Sequence, residues 1–88
     1  MLKYIVELIG TFILLFVILN KGQTIPIAIS LAAGLYISSN VSGGHLNPVV
    51  STIMLIKKNM NLNDYFGYIL SQLAGGLLAL NLHSHTKN

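Results

Sequence analysis

Nine residues, Pro48–Ile56, are all apolar or hydroxylated, and they lie between Asn47 and the charged pair Lys57-Lys58. As an α-helix such a stretch reaches about 14 Å, half of a hydrocarbon core about 30 Å thick. A helix of membrane hydrophobicity and half-membrane length does not span. It reads as a re-entrant segment, the kind that lines a path through a membrane instead of anchoring a protein in it. A surface loop with a short amphipathic helix suits the residues less well. Val49, Val50, Ile53, Met54, Leu55 and Ile56 would cover most of the helix circumference.

Composition agrees. Charged residues are 8% of the 88 and hydrophobic residues 53%, against about 25% charge in soluble domains. The chain is read as integral to a membrane and as one domain at most. All five basic residues are Lys, scattered at 3, 21, 57, 58 and 87. No basic cluster supports nucleic-acid binding, and isolated Lys at the ends of apolar runs read as interfacial anchors. Without cysteine there is neither a disulfide nor a thiolate site.

Residues 2–19 are the first spanning candidate. The polar turn at 20–23 has no Ala-x-Ala-like cleavage site, so a retained helix is expected here and not a signal peptide. Residues 24–41 form the second candidate, with Pro26 in the first turn, where a missing N–H matters little. Residues 40–45 are a Gly-rich, non-helical approach to the half-helix, and 59–63 a polar loop. Asp64 is expected to cap a third span over 65–82, followed by a frayed polar tail at 83–88. Ser30 and Gly34, like Gly75 and Ala79, are small residues four apart that let helices approach closely in lipid. Three spans place the termini on opposite sides. Lys3, Lys57 and Lys58 then face Lys21 and Lys87, a weak bias toward a cytoplasmic N-terminus.

The half-helix concentrates the chemistry. Asn47 is a natural N-cap and Pro48 fits the first helical position. The helix tip would carry a partial charge of about +0.5 near the bilayer midplane, repelling cations and orienting a water or hydroxyl oxygen. The carbonyls of Gly43, Gly44 and His45 precede it and need protein or water around them at that depth. A line of acceptors leading to an amide donor suits a file of water. Glu7, about 7 Å into the first span, either snorkels to the interface or faces protein or water. Gln72, in mid-span, reads as an interhelical hydrogen-bonding group. Tyr4, Tyr65, Phe66 and Tyr68 read as an aromatic belt; Tyr36 and Phe12 read as packing residues.

These residues resemble a known family, the aquaporin and aquaglyceroporin (major intrinsic protein) channels. His45-Leu46-Asn47-Pro48-Val49-Val50-Ser51 resembles the family's Asn-Pro-Ala box. Glu7-x-x-Gly10-Thr11-Phe12 resembles its first-helix signature, and Gln72-x-x-Gly75-Gly76 its third-helix pattern. The resemblance covers residues 1–82, the family's first repeat, with 83–88 as a tail. It implies an all-α membrane fold of three transmembrane helices plus one re-entrant half-helix, one of two inverted repeats. It implies passive conduction of water or small neutral solutes such as glycerol.

By the same resemblance the pore-lining residues are Asn47 as amide donor, Pro48, Val49, the carbonyls of Gly43, Gly44 and His45, and Ile27 at the second-helix selectivity position. Glu7 would accept from the re-entrant loop of the other repeat. Val49 stands where the box usually has Ala, and Ile27 where water-selective members usually carry an aromatic. Val50 stands where the second-repeat box has Arg.

One box here against the family's two implies a complementary half, either an antiparallel second copy or a separately encoded repeat. A non-conducting fragment or a structural membrane subunit is the alternative. No cofactor is expected. His83 and His85 make a weak metal pair, Asn59, Asn61 and Asn63 lack the carboxylates of a calcium loop, and no catalytic set points to an enzyme.

Overall fold

The computed structural model describes residues 1–86. Four helices follow in order: α1 Leu2–Asn20, α2 Thr24–Ser42, α3 Pro48–Ile56 and α4 Leu62–Thr86, with no strand among the described residues. Three of them, α1, α2 and α4, are long and apolar enough to cross a membrane. The long dimension of the molecule is 44 Å, close to the 40–45 Å of a bilayer with its headgroups.

Local chemistry sets the helix ends. α1 stops at Lys21, and Gly22 turns the chain at φ 61°. Pro26 sits in the first turn of α2, where an N–H would have no intrahelical partner. Gly43 ends α2 in the left-handed region at φ 90°, a conformation that burdens residues with a Cβ. α2 therefore continues through residues 40–42, which were expected to be non-helical. At α4 the cap is Asn61, whose Oδ1 accepts from Asp64 N at 2.7 Å. This corrects the expected cap at Asp64. The earlier polar side chain takes the orphan amide, and the helix starts at Leu62. Asp64 instead accepts from Lys3 Nζ and Tyr4 Oη, each at 2.7 Å. The expected frayed tail is also corrected. Residues 83–86 are helical, with Ser84 Oγ donating to Leu80 O at 3.0 Å. Lys87 and Asn88, and with them one Lys of the topology argument, lie outside the described residues.

α1 packs between α2 and α4, and α3 packs on α4. The inward faces repeat every three or four residues: Ser30, Gly34, Ser38 and Ser42 on α2, and Tyr68, Gln72, Gly75 and Ala79 on α4. The expected close-packing pairs thus lie at interfaces. A Cβ at Gly34 would stand 3.2 Å from Gly10 O, and one at Gly75 would overlap the Leu8 carbonyl oxygen. The interior is the more polar part. Glu7, Thr11, Ser30, Ser38, Ser42, Ser51 and Gln72 are buried, against Val6, Leu46, Tyr68 and Ala79 among apolar residues. Ile25, Ile29, Leu70 and Leu77 point outward. Lipid tails solvate such a surface, and water does not.

The side-chain links fix the direction of each element. Lys3 meets Asp64 at one end, and Asn20 Oδ1 meets His83 Nδ1 at 3.1 Å at the other. So α1 and α4 run parallel, with α2 antiparallel between their ends in sequence. Ser42 returns the chain to the Lys3 end, beside Glu7. The loop then descends, and the tip of α3 borders Thr11 and Gln72. Thr11 lies nine residues, about 14 Å, in from Leu2. α3 climbs back to Lys57, Lys58 and Asn61 at the end it left. That is the re-entrant course.

Candidate functional site

The descending loop needs unusual backbone. Gly43 (φ 90°) and Gly44 (φ 66°) supply left-handed turns, and Leu46 adopts one too, at φ 53°. A left-handed leucine costs roughly 1–2 kcal/mol. Its side chain offsets this by filling the crossing of α1 and α2, where it is 4% exposed. A Cβ at Gly10 would come within 2.6 Å of Leu46 Cδ2, and one at Gly34 within 2.9 Å of Cδ1. Both glycines leave the room that Leu46 occupies.

Glu7 holds the loop electrostatically. Its Oε2 accepts from Ser42 Oγ at 2.6 Å and His45 N at 2.9 Å. Its Oε1 accepts from Leu46 N at 2.8 Å and Gln72 Nε2 at 3.1 Å. The side chain is fully buried, so it does not snorkel. The expected donors on another repeat are corrected as well. Loop amides of this same chain reach Glu7, because α1 passes directly under the loop that leaves α2. Hydrogen bonds to a charged group contribute about 1.5–3 kcal/mol each, which makes this the strongest polar anchor of the fold.

Around Glu7 the bonds continue. Gln72 Nε2 also donates to Ser51 Oγ at 3.0 Å, as an interhelical role requires. Ser51 Oγ and His45 Nδ1 share a bond of 2.8 Å. Tyr68 Oη donates to Ser42 O at 2.7 Å, and its ring lies 4.8 Å from that of His45. This removes Tyr68 from the expected aromatic belt: its hydroxyl finds a carbonyl that α2 leaves unpaired at its end. Phe66 remains on the outer surface. Phe12 stacks on Phe16 at 5.8 Å, whereas Tyr36 is 88% exposed and packs little within the chain.

Ser42 carries no sequence expectation, Leu46 and Ser51 stand only as flanks of the Asn-Pro box, and Tyr68 only as a belt residue. Only the four-residue spacing of Ser30, Gly34, Ser38 and Ser42 signals one of them in advance.

The remaining face is open. Asn47 Oδ1 accepts from Val49 N at 2.8 Å, the expected N-cap, with Pro48 in the first position. Among the described residues Asn47 Nδ2 donates to no protein acceptor, and the carbonyls of Gly43, Gly44 and His45 accept from no protein donor. Asn47, Pro48 and Val49 are exposed, as is Gly43; Gly44 and His45 are half-buried. Ile27 is half-buried on α2 and takes no part in the Glu7 cluster. The arrangement therefore offers acceptors along the loop and a donor at the helix tip, on one uncovered side. A polar hollow of about 680 Å³ adjoins the loop at the Lys58 end, bordered by His45, Asn59, Asn61 and Tyr68. No group of three or more metal-ligating side chains occurs among the described residues.

A family profile described as Major intrinsic protein matches residues 20–88. The chain is 36% identical over 88 residues to glycerol uptake facilitator protein-like 6 of Lactiplantibacillus plantarum, covering 90% of this chain and 41% of the relative. It is 34% identical over 91 residues to an aquaporin of Arabidopsis thaliana, covering 88% of this chain and 28% of that protein. An aquaporin of Laccaria bicolor is 36% identical over 55 residues, with 62% and 21% covered. The chain thus spans less than half the length of these relatives. No solved structure matches it.

Proposed function

The chain belongs to the major intrinsic protein family, and from that premise we propose that it is one repeat of a channel for the passive passage of water or small neutral solutes. The observation that carries this is the open face. Asn47 keeps a free amide donor at the tip of α3, after a loop whose Gly43, Gly44 and His45 carbonyls have no protein donor among the described residues. At membrane depth such groups need a polar partner, since each one left unsatisfied in hydrocarbon costs several kcal/mol. A file of water or hydroxyls passing between a lipid-free wall and this face meets that need.

In this reading Asn47 is the donor at the narrow point, beside Pro48 and Val49. The three carbonyls form the approach, and Ile27 borders the constriction. Ile27 gives it an aliphatic wall, and one relative is named for glycerol uptake; both favour small neutral solutes alongside water. A conducting wall needs a second side, because the exposed loop and helix tip otherwise meet lipid. A complementary half supplies it, either a second copy inserted antiparallel or a separate second repeat. The role is transport, not catalysis. The Lys3, Lys57 and Lys58 end faces the cytoplasm by the positive-inside tendency.

The test is light-scattering flux in proteoliposomes. The purified chain is reconstituted alone, and together with the second half of the Lactiplantibacillus plantarum relative. Water or glycerol flux above empty liposomes in either preparation, lost in Asn47→Ala, is the expected result. Flux with the chain alone identifies a second copy as the missing wall. Baseline flux in both preparations, with the chain shown to be inserted, counts against conduction.

A further inference from the structure

Two buried polar atoms lie outside the Glu7 network. Among the described residues Thr11 Oγ1 and Gln72 Oε1 have no hydrogen-bond partner, although Thr11 is 4% and Gln72 3% exposed. Both residues border one groove of about 570 Å³ between α1 and α4, which Asn47 also borders. Its other walls are mostly leucine, including Leu15, Leu73 and Leu77.

The direction of Gln72 is determined chemically. Glu7 Oε1 and Ser51 Oγ both take hydrogens from Gln72 Nε2. A carboxylate only accepts, so the amide nitrogen must face Glu7 and the amide oxygen must face away from it. That leaves a strong acceptor, and on α1 a hydroxyl able to donate and accept, on two residues that border an otherwise apolar groove. A buried amide or hydroxyl without a partner is destabilising, and a bound hydroxyl relieves it. The groove is far larger than the ~30 Å³ that one water occupies.

We propose that Thr11 and Gln72 together form a hydroxyl-binding subsite on the α1/α4 groove, beside Asn47, that takes one water molecule or one hydroxyl of a small polyol. The ligand hydroxyl donates to Gln72 Oε1 and exchanges a second hydrogen bond with Thr11 Oγ1. The apolar walls exclude charged solutes and accommodate the carbon chain of a polyol. This binding reading does not depend on conduction: the subsite can be occupied in a chain that passes no solute.

Solid-state NMR of the full chain in lipid bilayers tests it, through magnetisation transfer from solvent protons to the side chains of Thr11 and Gln72. Transfer to both in plain buffer is expected, as strong as to the exposed Asn47 amide. If added glycerol replaces the water peaks with glycerol peaks, the subsite takes polyols. If the water peaks persist, it holds water alone. Thr11→Val should weaken the Gln72 transfer several-fold. Gly76→Leu should do the same without touching either polar group. Gly76 borders the groove, and the nearest atom to a Cβ there, Leu15 Cγ, is 3.9 Å away. Transfer to Asn47 but to neither Thr11 nor Gln72 in the unsubstituted chain overturns the proposal, whether or not the variants fold.

Discussion

Glu7→Gln should release the re-entrant loop. The substitution preserves shape and removes an acceptor. Each Glu7 oxygen now takes two hydrogens, Oε2 from Ser42 and His45 and Oε1 from Leu46 and Gln72. A glutamine turns one of those oxygens into an NH₂, so two donors on one side meet a third. Ser42 can rotate its hydroxyl toward Ser38 O, which it already approaches at 3.2 Å. Gln72 can turn its amide and offer its free Oε1 to the new NH₂, but the backbone amides of His45 and Leu46 have no such escape. On either side one backbone amide is stranded, at a cost of about 1–3 kcal/mol. That is a noticeable part of the ~5–15 kcal/mol by which proteins of ordinary stability stay folded. Hydrogen exchange at the His45 or the Leu46 amide should accelerate roughly ten- to a hundred-fold, and less folded protein should be recovered in detergent. Unchanged protection at both amides would mean that Glu7 does not hold the loop.

Gly75→Ala should separate α1 from α4, while Gly76→Ala, one residue on, should be harmless. A Cβ at Gly75 would overlap the Leu8 carbonyl oxygen and stand 3.1 Å from Phe12 N. Both are backbone atoms of a helix and cannot step aside. The helices must move apart, at about 1–3 kcal/mol for overpacking, and the interface that carries Gln72 to Glu7 loosens with them. At Gly76 the nearest atom to a Cβ is 3.9 Å away, so alanine fits, and helix propensity favours it by up to about 1 kcal/mol. Thermal unfolding in one detergent should give a lower midpoint for Gly75→Ala and an equal or higher one for Gly76→Ala. Equal midpoints for both variants would contradict the packing.

Hydrophobic runs and helix punctuation carried most of the fold into the sequence. Pro48–Ile56 is helical over the stretch that Asn47 and Lys57 delimit, because capping and charge act locally. The polar contacts were less legible for the same reason. Glu7 meets His45 across 38 positions and Gln72 across 65, and no local pattern records such partners. The resemblance assigns Glu7 donors from another repeat, whereas the course of α2 brings this chain's own loop amides to it. Tyr68 shows the limit of composition. An aromatic near a membrane end suggests the interface, but its hydroxyl had a carbonyl within reach at Ser42. Asn61 and Asp64 are both good caps, and only the start of α4 decides between them. Leu46 shows least of all in the sequence, since its importance lies in two distant glycines that leave room for it.

Depth measurement on α3 is the most direct test. Spin labels at Val49→Cys and Lys57→Cys, eight residues or about 12 Å apart along the helix, are read by collision with oxygen and with a water-soluble nickel complex in bilayers. The Lys57 label should sit at headgroup level and the Val49 label near the bilayer centre with access to water. Two labels at the same shallow depth, or on opposite faces of the membrane, would contradict a half-helix that turns back inside the bilayer.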